Sequence, residues 1–322
     1  MKSLLRVLTF NSHQPYIHLL ATSMPWEIGV IAPRHPSGKI QSWDERIRPL
    51  APNLSLFDSL SSATDAKRWD WILAHNVNDL LDCRHSRLPK VFLVHGTLSG
   101  RILQDRSSID RLAYLEKLRL LLDSAACKIV YISDLKRQDW GLPGGVIRSA
   151  ADPSQYGGYR GDLRGVLQVC HNLRERAPML GWKEHLEVCA GLPAMVMGLN
   201  RGLRESRLSS SWEDLKEQYR SYRVYLHTAV YPYEDGYNLA MLEAMATGMP
   251  IATIQSPTSP IEDGVSGVVG RTGSELRGRV VWLLDNPIEA AKLGMAARAR
   301  LEDQFPIATF RSDWSALASS LG

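Results

Sequence analysis

The chain has 322 residues, 44% hydrophobic and 22% charged, a globular balance that excludes a disordered chain and leaves room for about two domains with real cores. The formal net charge is +4, with Lys and Arg scattered rather than gathered in a basic block, which gives no ground for a nucleic-acid partner. No apolar run approaches the ~18 residues that a membrane-crossing helix needs.

The N-terminal MKSLLRVLTFNSHQPYIHLL meets His13 and Pro15 too early for a signal-peptide apolar centre, so Leu4–Phe10 is read as a first strand. Glu27–Ala32, Trp71–Ala74, Val91–Val94 and Lys128–Ile132 follow as short apolar runs without strict alternation, the pattern of strands buried on both faces. Ser108–Ala126 carries Leu112, Leu115, Leu118 and Leu122 at helical spacing. Gly141–Gly158, rich in Gly, Pro and Ser, reads as a linker. A second series follows. Its predicted strands are Val166–Cys170, Ala194–Met197, Val224–Thr228 and Ile251–Ile254. Its helices are Trp182–Ala190, Trp212–Tyr219, Asn238–Thr247, Thr272–Leu284, Pro287–Gln304 and Ile307–Ser319. Strands alternating with helices imply parallel sheets, here two α/β domains with a ligand cleft expected between them. Trp212, Trp282 and Trp314 sit at helical positions and read as packing residues. The four cysteines form no CxxC pair, which argues for unpaired thiols in a reduced cytoplasmic setting and against structural zinc.

The segment from Val224 to Val269 carries the chemistry. A strand ends near Thr228, a loop with Pro232 and Gly236 follows, and a helix begins around Asn238. That helix stops at Gly248, with Pro250 two residues on. A helix N-terminus at a strand's carboxyl end presents backbone N–H donors and a positive dipole end, which suits a phosphate. Asn238 is able to cap it. Glu243, one turn in, has two acceptor oxygens that suit the vicinal hydroxyls of a ribose. A helix-surface carboxylate is the plainer reading of the same residue.

This segment resembles the donor-binding core of retaining GT-B glycosyltransferases of the family-4 type, written EGFGLPLLEAMACGxPVV. Asp235-Gly236-Tyr237-Asn238-Leu239-Ala240-Met241-Leu242-Glu243 keeps an acidic residue, seven residues and a Glu, and Ala244-Met245-Ala246-Thr247-Gly248-Met249-Pro250 continues the match. Glu262-Asp263-Gly264-Val265-Ser266-Gly267 resembles the following EDGxNG, and LLDNPIEAAKLGMAARARLEDQF resembles the family's tail. Upstream, Val94-His95-Gly96, Ala74-His75-Asn76, Ile132-Ser133 with Lys136, and Ala151-Asp152-Pro153 resemble the family's strand-end and linker motifs.

The resemblance implies a GT-B fold: two Rossmann-like parallel-sheet domains facing across a cleft. The acceptor domain would be 1–148, the nucleotide-sugar donor domain 149–305, and the C-terminal helix 306–322 would cross back to the first. It implies sugar transfer from a nucleotide-diphosphate donor with retention, without a metal or other cofactor, to a glycan, lipid-linked or small-molecule acceptor, in the cytoplasm. By resemblance Asp235, or its neighbour Glu234, contacts the donor sugar; Glu243 holds the ribose; Gly236, Tyr237, Asn238 and Leu239 offer backbone donors; and His95 lies beside the donor sugar. Arg176, then Arg174 or Lys183, stands where the family binds the diphosphate, although Asn172 occupies the usual Arg position. His95 also fits a satisfied histidine at a strand end. His75, His13 and Asn11 read as structural. The arginines at 298, 300, 220 and 223 permit peripheral contact with an anionic membrane face. Asp235 in place of Glu, Asn172, and Ser256-Pro257-Thr258-Ser259 in place of glycines keep a catalytically silent nucleotide- or glycan-binding module open, and a sugar-nucleotide epimerase on the same fold stands behind it.

Overall fold

The computed structural model describes residues 4–33, 42–105 and 108–321. Those residues form two compact units. One holds the residues up to Gly96, Ser108–Arg148, and those from Ala308 on; the other holds Thr97–Asp105 and Ser149–Ile307.

In chain order the first series is β1 (Arg6–Phe10), α1 (Gln14–Ser23), β2 (Glu27–Ile31), β3 (Leu54–Phe57), α2 (Leu60–Ala66), β4 (Trp71–Ala74), α3 (Val77–Cys83), β5 (Lys90–Val94), α4 (Leu98–Gln104), α5 (Arg111–Ser124), β6 (Cys127–Tyr131), α6 (Asp134–Trp140) and β7 (Gly145–Val146). The seven strands form one parallel sheet, ordered β3-β2-β1-β4-β5-β6-β7. The second series is β8 (Leu163–Val169), α7 (Ala177–Leu180), α8 (Trp182–Cys189), β9 (Ala194–Met197), β10 (Ser206–Arg207), α9 (Trp212–Ser221), β11 (Tyr222–His227), α10 (Leu239–Thr247), β12 (Ile251–Ile254), β13 (Gly267–Gly270), α11 (Gly273–Asp285), α12 (Pro287–Gln304) and α13 (Ile307–Ser319). Its six strands are also all parallel, ordered β10-β9-β8-β11-β12-β13.

Both sheets start in the middle, grow to one side, then reverse. The reversal falls between β1 and β4 in the first unit and between β8 and β11 in the second. Loops leaving the carboxyl ends of those central strands diverge, and ligands of such sheets bind where they part.

Several elements were not evident from pattern alone. His13 and Pro15 start α1: the His13 ring accepts from the Tyr16 N–H (3.4 Å), and proline sits in the first turn, where its missing N–H costs nothing. The Gly- and Pro-rich stretch read as a linker contains β7, which pairs with β6. Asn76, Thr97 and Ser133 cap α3, α4 and α6, each accepting a first-turn N–H. The strand-end motifs at 74–76 and 132–133 therefore include helix starts.

In the first unit, α13 completes the core. Trp314 is fully buried, stacks on Trp71 (6.1 Å, 14°) and donates its indole N–H to the Tyr16 hydroxyl (3.2 Å). Trp26 and Phe310 meet it edge-on. Trp282 differs: its surface is 47% exposed, so it does not fill a core. In the second unit α10 is buried on nearly every side, with Met241, Leu242, Met245 and Ala246 in one apolar cluster.

Candidate functional site

In the second unit the loops at the reversal point are 170–176 after β8 and 228–238 after β11. The β11 loop is anchored at its root. Thr228 donates its hydroxyl to the Leu180 carbonyl (2.5 Å) and accepts from the Gln168 amide (3.0 Å). The Gln168 side-chain oxygen accepts a hydrogen bond from His185 Nδ1–H (2.7 Å), since an amide oxygen only accepts. Gly181 packs against the same root: its φ is +64°, and a Cβ there would run into the Thr228 carbonyl oxygen.

Asp235 lies at the loop's far end, 1% exposed. Its N–H is met by Glu234 Oε1 (3.1 Å), and its carbonyl lies 3.4 Å from His227 Nε2. Burial pushes the His227 imidazole down to about 4, so it is neutral near pH 7. Gly236 donates its N–H to Thr258 Oγ1 (2.7 Å), and a Cβ at 236 would lie 2.7 Å from Ser256 Cβ and from the Ser259 nitrogen. The Ser-Pro-Thr-Ser loop thus presses on the Asp-Gly turn. Tyr237 packs on Phe305 (4.8 Å).

Asn238 caps α10, taking the Met241 N–H on its side chain (2.9 Å). Glu243, 3% exposed, accepts from the Tyr219 hydroxyl (3.1 Å). The structure therefore buries both carboxylates of the spaced pair and places them on either side of one helix start. Glu262 and Asp263 in the next loop have other work: Glu262 pairs with Arg300 (2.7 Å) and Asp263 with Arg279 (2.5 Å).

The cations sit at different places. Arg176 caps α7 through its backbone, is half-buried, and donates to the Gln104 side-chain oxygen (3.2 Å). Arg174 is exposed in the same β8 loop. Lys183 lies on α8, 80% exposed and 3.7 Å from Glu187 one turn on. Glu187 in turn abuts Gly273 of α11, so Lys183 belongs to the α8–α11 face. Arg220, Arg223, Arg298 and Arg300 bind backbone carbonyls of Gly157, Gly161, Ala246 and Pro260, which makes them clamps within the unit.

The first unit furnishes its reversal point with imidazoles. Thr9 of β1 donates its hydroxyl to the Leu73 carbonyl (2.9 Å), so toward His75 Nε2 (2.9 Å) it is the acceptor. His75 therefore carries its proton on Nε2 and offers Nδ1 to His95 Nε2–H (2.8 Å). His95 is left with its lone pair on Nδ1, a buried atom with no hydrogen-bond partner among the described residues. His13 stacks on the His95 ring (4.3 Å, 13°), and Tyr16 meets it edge-on (5.1 Å). Burial pushes His75 down to about 3; burial, then His13, His75 and Lys136, hold His95 well below the usual imidazole range. Beside them Asp79 accepts from the His75 N–H (2.9 Å) and the Ser12 hydroxyl (2.9 Å), while burial lifts its carboxyl to about 6. His95 thus has His13 and His75 for company at one sheet edge. From the sequence those two read as structural, Thr9, Asp79 and Tyr219 carry no site signal, and Thr258 stands out only within the Ser256–Ser259 departure. His13 and His75 carried a signal, a histidine following a predicted strand.

No protein-family model matches the chain, and no curated protein does. Solved structures do resemble it. The crystal structure of HepE from Anabaena in complex with UDP has a TM-score of 0.69 at 15% identity, over 98% of this chain and 100% of that one. The complex of the same protein with UDP-glucose gives 0.66 at 16%, over 98% and 99%. Sucrose-phosphate synthase from Thermosynechococcus elongatus gives 0.67 at 14%, over 99% of each chain. These likenesses, with the two all-parallel sheets, establish the fold as that of GT-B glycosyltransferases.

Proposed function

We propose that this protein is a retaining glycosyltransferase that moves a sugar from a nucleotide-diphosphate donor to a glycan, lipid-linked or small-molecule acceptor. One observation carries the reading: two buried carboxylates, Asp235 and Glu243, bracket the capped N-terminus of α10 at the reversal point of a Rossmann-ordered sheet. Solved proteins of the same fold are bound to UDP and UDP-glucose, which favours a nucleotide-sugar here.

In this reading, departure of the leaving group builds negative charge on the diphosphate, and fixed donors must meet it. The N–H groups of Leu239 and Ala240 and the Arg176 guanidinium, with Arg174 next in line, are the donors we assign. Lys183, at the α8–α11 face, is the weakest candidate of the three cations. Glu243 takes the ribose hydroxyls, with Tyr219 fixing its rotamer. Asp235 orients the donor sugar, and Glu234 steadies the turn through the Asp235 N–H. His95, neutral and tautomer-fixed, contacts a donor hydroxyl by resemblance. No metal or other cofactor is assigned a part, and the reaction is placed in the cytoplasm or at a membrane's inner face.

A thermal-shift panel of UDP, GDP and ADP, followed by sugar-nucleotide hydrolysis with the best nucleotide, tests this. At least one nucleotide is expected to raise the unfolding temperature, and Glu243→Ala to weaken its binding about tenfold or more, the loss of a charge-assisted hydrogen-bond pair. Equal binding by Glu243→Ala would remove the ribose role. Binding without any hydrolysis or transfer would favour the silent module, which the Ser256-Pro257-Thr258-Ser259 loop also fits.

A further inference from the structure

The amino ends of β5 and β6 lie at the opposite edge of the first sheet from the histidines. Here a cavity of about 450 Å³ opens between the α3–β5 connection, the α5–β6 turn and the end of the chain's last helix. Its lining includes Arg84, Arg87, Lys90 and Lys128. Among the described residues none of these four cations has a carboxylate within ion-pair distance, whereas arginines elsewhere in the unit, such as Arg6 and Arg46, have one.

The cavity is a held structure. Lys90 is 2% exposed, and its ammonium donates to the carbonyls of Ser86 (2.6 Å), Leu88 (3.0 Å) and Ala125 (3.2 Å). Those bonds tie the α3–β5 connection to the α5–β6 turn. Lys128 donates to the Ser320 carbonyl (2.7 Å) and hydroxyl (3.0 Å), which closes the third side. Arg84 reaches the Leu81 carbonyl (2.5 Å), and Arg87 has no hydrogen-bond partner among the described residues. Carbonyl dipoles satisfy N–H groups, but among the described residues no carboxylate pairs with the positive charges. Four such charges around one hollow repel one another, and an anion in it would relieve that repulsion. The Arg87 guanidinium fork, with the Lys128 ammonium, which has one N–H beyond its two bonds to Ser320, supplies donors that fit tetrahedral oxygens, while Lys90 contributes its charge. The volume lies in the range of ligand-binding pockets.

We infer that this pocket binds a phosphate group, carried either by a free phosphate compound or by the headgroup of an anionic lipid. The site lies at the sheet edge opposite the histidines and is independent of the proposed donor site, because the lining residues all belong to the first unit.

The test is a titration of the whole protein with inorganic phosphate, read from amide resonances, against chloride at matched ionic strength. Shifts are expected at Ser86–Lys90 and Ser124–Lys128. They should weaken about tenfold in Arg87→Gln and in Lys128→Gln, both solvent-facing changes that spare the buried Lys90, and persist in Arg176→Gln. Co-sedimentation with phosphatidylglycerol and with phosphatidylcholine vesicles separates the sources. Binding to the first alone, lost in both variants, assigns a lipid headgroup. Phosphate shifts without vesicle binding assign a free phosphate compound. Equal shifts with chloride, shifts confined to residues 228–243, or variants that bind phosphate like the parent overturn the inference.

Discussion

The second unit repeats the order of the first six strands of the first, and each gathers polar side chains at the same place, the carboxyl edge where the order reverses. What they gather is opposite in kind. The first unit assembles neutral rings: His95, His75 and Thr9 form a chain of hydrogen bonds that ends on a backbone carbonyl, with the Asp79 carboxyl raised beside it. The second assembles carboxylates, Asp235 and Glu243, around a helix start. Topology decides where such loops converge, and side chains decide what charge they present. A site made of fixed neutral rings is suited to hydroxyl contacts. One that sets carboxylates and N–H donors side by side is suited to a ligand with both hydroxyls and phosphates.

The sharpest way to break the second edge is at its root. Gly181→Ala puts a Cβ into the Thr228 carbonyl at a φ of +64°, and is expected to cost about 3 kcal/mol, read as a lowered denaturant midpoint. An unchanged midpoint would mean that the β11 loop is not held there.

The first edge should fail in acid. His75 and His95 here, with His227 in the second unit, are neutral when folded, with pKa values below the unfolded 6.5. As pH falls below about 6.5 the unfolded chain takes up protons that the fold refuses. Stability then drops by about 1.4 kcal/mol per pH unit for each, until the folded pKa is reached. Asp79 acts in the other sense: between its unfolded 3.8 and about 6 the fold holds a proton that the open chain has lost, which offsets one histidine. The net effect between about pH 4 and 6 is a steep loss, visible as a falling unfolding temperature. His75→Gln should flatten it, and a flat profile in the parent would contradict the buried neutral rings.

Two smaller changes sharpen the α10 start. Asn238→Ala removes the cap on the Met241 N–H and should cost about 1 kcal/mol, with Asn238→Gly costing less. Tyr219→Phe removes one hydrogen bond to Glu243 and should cost about 0.5–1.5 kcal/mol. If Tyr219 fixes the Glu243 rotamer, nucleotide affinity in that variant falls severalfold with little change in stability at other sites; unchanged affinity would reduce Tyr219 to a core residue.

Local regularities made much of this molecule readable from its residues. Trp71–Ala74, Ala194–Met197, Ile251–Ile254, Pro287–Gln304 and Ile307–Ser319 coincide with observed elements, because short apolar runs and helical spacing report burial on two faces or one. The spacing of Asp235, Asn238 and Glu243 marked a capped helix start with flanking acids, since capping is a matter of neighbouring residues. Other features depended on distant partners. α1 hides in a stretch whose helix-forming face is recognisable only once Tyr16 meets Trp314, almost three hundred residues later. Lys183 stood behind Arg176 and Arg174 as a diphosphate candidate by position, and α8 turns it toward Glu187. Four cations scattered from 84 to 128 looked like ordinary surface until β5 and β6 brought them around one cavity. The sequence by itself determined the alternation of strands and helices and the capped start of α10, because those rest on neighbours along the chain. Tertiary structure alone decided the tautomer chain of Thr9, His75 and His95, and which cations face a carboxylate, because hydrogen-bond direction and charge pairing depend on what the fold places alongside.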